Sequence, residues 1–135
     1  MPEAEEEFVV EVPEEKVKET LLDLKVIGEC FKFVKRTSED GKIWFVKAPM
    51  SAITQTKELK AEILNKNPVE WEARGKHLLW IGKFFTERTE SGTKVRTILS
   101  VEGLGTMASV INPMAGIQLP GQLRYFVVQL KKRFG

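Results

Sequence analysis

Cys30 and His77 are the only cysteine and the only histidine in the chain. A structural or catalytic zinc site needs three or four such ligands converging at about 2.0–2.3 Å, so no metal centre is expected. A lone cysteine also excludes an intrachain disulfide. His77 falls in a turn between two predicted strands and reads as a solvated side chain. Cys30 reads as a small buried apolar residue rather than a nucleophile. No Gly-x-Ser-x-Gly elbow occurs. Gly103-Leu104-Gly105 reads as the end of a strand and the start of a helix, not as a phosphate loop. Acid–base and covalent catalysis have little to work with here, so neither an enzyme nor a cofactor is expected.

A different set of residues has chemistry of a softer kind. Trp44, Trp71, Trp80 and Phe84 share one strand parity, and Thr97 and Leu99 continue that face on the next strand. Met107, Met114, Ile117 and Phe126 are expected to meet them from a C-terminal helix. Methionine fills irregular space and adapts to varied apolar partners. The set either closes a core or lines a pocket. Gln55 and Lys57 are the anomaly, because their parity matches Ile53, Leu59 and Ala61. A charged group on an inner face is costly unless it is paired or reaches water. Lys57 and Gln55 either hold the polar head of an apolar ligand, or a bulge flips the parity and Lys57 reaches solvent.

The elements that must position these residues follow from periodicity. Phe8, Val10 and Val12 alternate with Glu7, Val9 and Glu11, which predicts a first strand with one buried face. Pro13 with Glu14 and Glu15 opens a short amphipathic helix over residues 13–24, and residues 25–30 add another turn of helix. Strands follow at residues 31–36 and through Trp44, Val46 and Ala48. A long strand is expected at 51–64, then strands through Val69–Gly75, Leu78–Thr86 and Val95–Val101. Glu39-Asp40-Gly41, Asn65–Pro68 and Ser91-Gly92 are the turns between them. Seven strands joined by short turns predict an antiparallel sheet. The last helix has Val110, Ile111, Leu119, Leu123, Val127, Leu130 and Phe134 at helical spacing. Pro113 and Pro120 should kink or split it, making a gate near residues 112–121. Lys131, Lys132 and Arg133 suit its negative end.

Bulk properties bound the rest. The 135 residues fit one domain spanning 1–135, with 1–6 as a frayed acidic tail. Hydrophobic residues make up 42% and charged ones 30%, which places the chain among folded proteins. A net charge of +2 is too small to point to nucleic acid. No apolar run approaches the ~20 residues needed to span a bilayer. The acidic MPEAEEE start is unlike a signal sequence, so the cytoplasm is the expected compartment. The terminal KKRFG offers only a weak, peripheral attraction to anionic lipid.

The segments FVVEVPEEKVKETLLDL, ITQTKELKAEIL and SGTKVRTILSVEGLGTMASVINP, with the order strand, two short helices, six strands, long helix, resemble the START-like (SRPBCC) superfamily. Within it the chain is similar to the CoxG family, associated with carbon monoxide dehydrogenase, over roughly residues 7–134. ECFKFVKR stands where that family commonly has a Cys-Ile-Pro-Gly-type segment. The resemblance implies an α+β helix-grip fold, a curved seven-stranded antiparallel sheet wrapped on the C-terminal helix. It implies a cavity for a lipid, isoprenoid or quinone-like molecule between sheet and helix. It further implies a role beside a molybdenum hydroxylase of the carbon monoxide dehydrogenase type, in maturation or membrane recruitment. Some superfamily relatives are cyclases or hydrolases. The candidate pocket lining is therefore Trp44, Gln55, Lys57, Trp71, Trp80, Phe84, Thr97, Leu99, Met107, Met114, Ile117 and Phe126.

Overall fold

The computed structural model describes residues 2–47 and 57–135. Strand β1 spans Glu3–Val10 and is followed by helices α1 (Glu14–Leu21) and α2 (Leu24–Glu29). Strands β2 (Val34–Thr37), β3 (Ile43–Val46), β4 (Glu58–Lys66), β5 (Val69–Arg74), β6 (Leu78–Arg88) and β7 (Thr93–Gly103) come next. A 3-10 turn at Gly105–Met107 leads into helix α3, Ala108–Arg133. The described strands form one sheet in the order β1-β7-β6-β5-β4-β3-β2, antiparallel at every pairing. The two edges are β1 and β2, and the two short helices carry the chain from one edge to the other.

Local chemistry explains these boundaries. Pro13 fixes the entry to α1, and Glu14 and Glu15 sit in its first turn, where the helix dipole favours negative charge. Val17 and Leu21 bury the inner face of α1. Asp23 caps α2 by accepting from the backbone N–H groups of Lys25 and Val26 at 3.1 and 3.4 Å. The β2–β3 turn is tied by the Ser38 hydroxyl donating to Asp40 at 2.7 Å and by the Lys42 N–H donating to the same carboxylate oxygen at 3.0 Å. Gly41 in that turn has φ +75°, and a Cβ there would lie 2.2 Å from the Lys25 backbone nitrogen. Only glycine satisfies both the left-handed backbone and the close approach to α2.

Alternation places the core on one face. Trp71 and Ala73 on β5, Trp80 and Phe84 on β6, and Val95, Thr97, Leu99 and Val101 on β7 all point inward and are buried. Helix α3 lies across β7 and β1 and covers them with Ile111, Leu119, Leu123, Phe126 and Leu130. The Gly103 N–H donates to Asn112 Oδ1 at 2.8 Å, tying the end of β7 to the first turns of that helix.

Four expectations are corrected. The acidic start is not a frayed tail from Glu3 onward, because Glu3–Glu7 form the first half of β1. Cations on β7 hold it there: Arg96 forks onto Glu5 at 2.9 and 3.0 Å, and Lys94 reaches Glu7 at 3.6 Å. Phe31 and Phe33 are not in a strand. They lie in the turn between α2 and β2, and β2 begins at Val34. Of the long strand expected at 51–64, residues 51–56 lie outside the described residues, and β4 runs on to Lys66 with a register shift between Ile63 and Asn65. Helix α3 is not split at Pro113 and Pro120 but is continuous from Ala108 to Arg133. Both prolines are exposed, as are Ser109 and Gly116 four residues before them. Water can therefore take the carbonyls that proline cannot serve.

Candidate functional site in the aromatic interior

The inward residues of the sheet, α3 and the α2–β2 turn meet in one aromatic cluster. Phe31 is its hub. Its ring stacks on Phe126 of α3 with centroids 4.3 Å apart, and it meets Trp71 edge-on at 5.7 Å. Phe33 stacks on Trp80 at 4.6 Å, and Trp44 sits 5.2 Å from Trp71. Phe84 lies 6.1 Å from Phe126. These separations suit offset and edge-to-face packing of aromatic quadrupoles. Gly82 makes room for the Trp71 indole, since an added Cβ would fall 2.3 Å from its ring nitrogen.

The polar groups of the cluster are treated unequally. The Trp44 indole N–H donates to the Gly41 carbonyl at 2.9 Å. The indole N–H groups of Trp71 and Trp80 and the hydroxyl of Thr97 are buried with no hydrogen-bond partner among the described residues. A buried donor left unmet costs on the order of 1–3 kcal/mol. Native cores satisfy most such groups, so each of the three is a place where an acceptor would be welcome. Thr97 pairs in register with Phe84 on one side and with Glu6 of β1 on the other. Glu6 is half-buried on the same face of β1 as Phe8 and Val10.

Trp44, Trp71, Trp80, Phe84, Thr97, Leu99 and Phe126 are thus brought together as expected from their parity. Met107 is half-buried and touches the core from its margin. Met114 and Ile117 do not line the interior. They lie on the opposite side of α3, 37% and 83% exposed. Lys57 is exposed just before β4, so the inner parity ends at Leu59. Gln55 lies outside the described residues. Phe31, the most connected ring of the cluster, and its neighbour Phe33 escape a reading by periodicity because Phe31, Phe33 and Lys35 alternate like a strand. The signal available was a pair of phenylalanines directly after a helix that ends at a buried cysteine.

The remaining chemistry is sparse. Burial pushes the Cys30 thiol up from 9.0 to about 11, so it stays protonated at neutral pH. His77 is half-buried in the β5–β6 turn, and its carbonyl accepts from the Leu104 N–H at 2.9 Å. No group of three metal-ligating side chains is found among the described residues. No helix there is long and apolar enough to cross a membrane. On the outside of the molecule, Lys32, Ile117, Gln118, Pro120, Gly121, Gln122, Arg124 and Tyr125 line a shallow groove of about 450 Å³ along α3.

No protein-family model matches the sequence, and no curated protein matches it. Solved structures do match the fold. A conserved protein from Geobacillus kaustophilus superposes with a TM-score of 0.72 at 15% identity, over 98% of this chain and 94% of the other. A START superfamily protein from Mycobacterium smegmatis gives 0.65 at 15% identity, over 98% and 96%. The di-domain ARO/CYC BexL from the BE-7585A biosynthetic pathway gives 0.58 at 16% identity, with 98% of this chain matching 46% of that one. At these identities the likeness is one of architecture. A seven-stranded antiparallel sheet curled around a long C-terminal helix, over nearly the whole length of the first two neighbours, is the START-like fold.

Proposed function

We propose that the protein binds an apolar or amphipathic small molecule that carries a hydrogen-bond acceptor, held between the sheet and α3. The observation that carries this reading is the trio of unmet polar groups on Trp71, Trp80 and Thr97 inside an aromatic interior. A carbonyl, quinone or ether oxygen beside any one of them would satisfy a donor that is unpaired among the described residues. The surrounding rings would stack on a flat or polyprenyl body, whose burial contributes roughly 25 cal/mol per Å² of apolar surface. Among the described residues the buried polar side chains on the inner parity of β7 are Thr93 and Thr97. Hydroxyls orient a ligand but do not trade protons near neutral pH, which favours binding over acid–base chemistry. Room for the ligand would come from Phe31 and Phe33, whose turn belongs to neither a strand nor a helix.

All three tryptophans are buried, so intrinsic fluorescence reads the interior directly. Titration with a fatty acid, a polyprenyl alcohol and a quinone should give saturable quenching by at least one of them. Removing one donor with Trp80→Phe or Thr97→Val should weaken that ligand by a few-fold to about ten-fold, the worth of one hydrogen bond. Absence of saturable binding across the three classes would sink the proposal. A second reading, proton transfer to such a ligand, has one observation in its favour, namely Glu6 opposite Thr97. Glu6→Gln separates the two, since a carrier keeps its affinity in that variant and converts nothing in either form.

A further inference from the structure

Helix α3 has two apolar faces, and only one is covered. Ile111, Ala115, Leu119, Phe126 and Leu130 bury the inner face. On the opposite side Val110, Met114, Ile117, Tyr125 and Val128 are exposed. At about 100° per residue these five fall on one stripe running the length of the helix. An apolar stripe of this extent on an outer surface marks a contact surface rather than scattered exposure.

Charge identifies what the stripe suits. From Gly103 to Gly135 the chain carries no aspartate or glutamate, and its charged residues are Arg124, Lys131, Lys132 and Arg133. Arg133 is engaged by Glu29 at 3.2 Å. Arg124, Lys131 and Lys132 form no salt bridge among the described residues. Lys32 adds a cation from the neighbouring turn, its Nζ 5.9 Å from the centre of the Tyr125 ring. Lys32 and Arg124 line the groove beside Ile117, so positive charge borders the apolar stripe on the same face. Glu5 and Glu7 of β1 lie on the other face of the sheet and are matched there by Arg96 and Lys94. A helix apolar along its midline and cationic at its flanks, with a tyrosine at the border, suits the interface of an anionic bilayer.

We propose that the outer face of α3 docks the protein on an anionic lipid surface. The helix lies in the plane of the interface, with Ile117 and Val128 in the acyl boundary and Lys32, Arg124, Lys131 and Lys132 among the headgroups. This inference is independent of whether the interior holds a ligand.

The test is co-sedimentation of the purified full chain with vesicles of phosphatidylcholine alone and of phosphatidylcholine mixed with phosphatidylglycerol. The protein should partition onto the mixed vesicles and be released as salt is raised. One cation near an anionic surface is worth about five-fold in partitioning, so Lys131→Gln with Lys132→Gln should lose about 25-fold. Ile117→Asp with Val128→Asp should abolish binding without lowering the melting temperature, because both side chains are exposed. Equal partitioning onto neutral and anionic vesicles, or onto neither, overturns the proposal. So does a concentration-dependent dimer in sedimentation velocity that the aspartate variant dissolves, which would show that a second copy covers the stripe.

Discussion

Thr97 and the two indoles show how much of the interior is decided by single polar atoms. Thr97→Val replaces an unmet hydroxyl by a methyl of similar shape. In the ligand-free protein it should leave stability unchanged or raise it slightly, as measured by chemical denaturation, since nothing is lost that was satisfied. Gly82→Val should act in the opposite way. Its side chain would enter the Trp71 ring, and overpacking of that kind costs typically ~1–3 kcal/mol. Cys30 offers a kinetic check. Its folded pKa of about 11 against 9.0 unfolded means that alkylation at neutral pH should be slow in the folded protein and fast once urea unfolds it. The stability linked to that thiol is fully present below about pH 9 and is lost as pH rises towards about 11. Glu14 behaves in reverse. The Thr86 hydroxyl, helped by Lys18 and Arg88, holds its carboxyl below 4.5. Its contribution is present above that pH and fades as the solution is acidified further. The inward parity of Trp71, Trp80, Phe84, Thr97 and Leu99 was legible in the sequence, because a strand has a period of two and these strands are regular. Phe31 was not legible as a hub, because a turn has no period to read.

Helix α3 is where a sequence pattern carried two messages at once. Its apolar residues recur on both sides, so Met114 and Ile117 fit a helical repeat as well as Ile111 and Leu119 do. Periodicity alone cannot say which stripe meets the sheet. Register settles it, since Asn112 is held at the end of β7 and Phe126 under Phe31. The prolines misled for a related reason. Proline in a helix interior costs ~3 kcal/mol but does not forbid the helix when the freed carbonyl faces water. Pro120→Ala should therefore stabilise the protein, by up to about 3 kcal/mol, visible as a higher midpoint in thermal unfolding. A lower midpoint would mean that the residue shapes the helix in a way the fold needs. The α2–β2 turn carries the converse expectation. Phe31→Ala removes a ring that stacks on α3 and meets all three tryptophans of the cluster, and should cost about 3–5 kcal/mol. If the interior takes a ligand, the same variant should recover part of that loss when ligand is added, because binding to the folded state alone stabilises it.

At the scale of the molecule, charge and apolar surface are sorted by side. Glutamates line the outer face of β1, and the last thirty-three residues carry only cations. A net charge of +2 conceals this separation, which composition alone does not reveal. The architecture itself was legible because turns, alternation and helix spacing agreed with one another along most of the chain. The edge strand β1 adds a consequence in time. Its first residue to pair, Glu3, meets Ser100 across 97 positions of sequence. During synthesis at about 5–20 residues per second, β1 must wait several seconds on the ribosome before its partner exists. An apolar strand held open for that long would invite pairing with another nascent chain. The run Glu3, Glu5, Glu6 and Glu7 keeps the waiting strand soluble and mutually repulsive between chains, until Lys94 and Arg96 emerge to receive it.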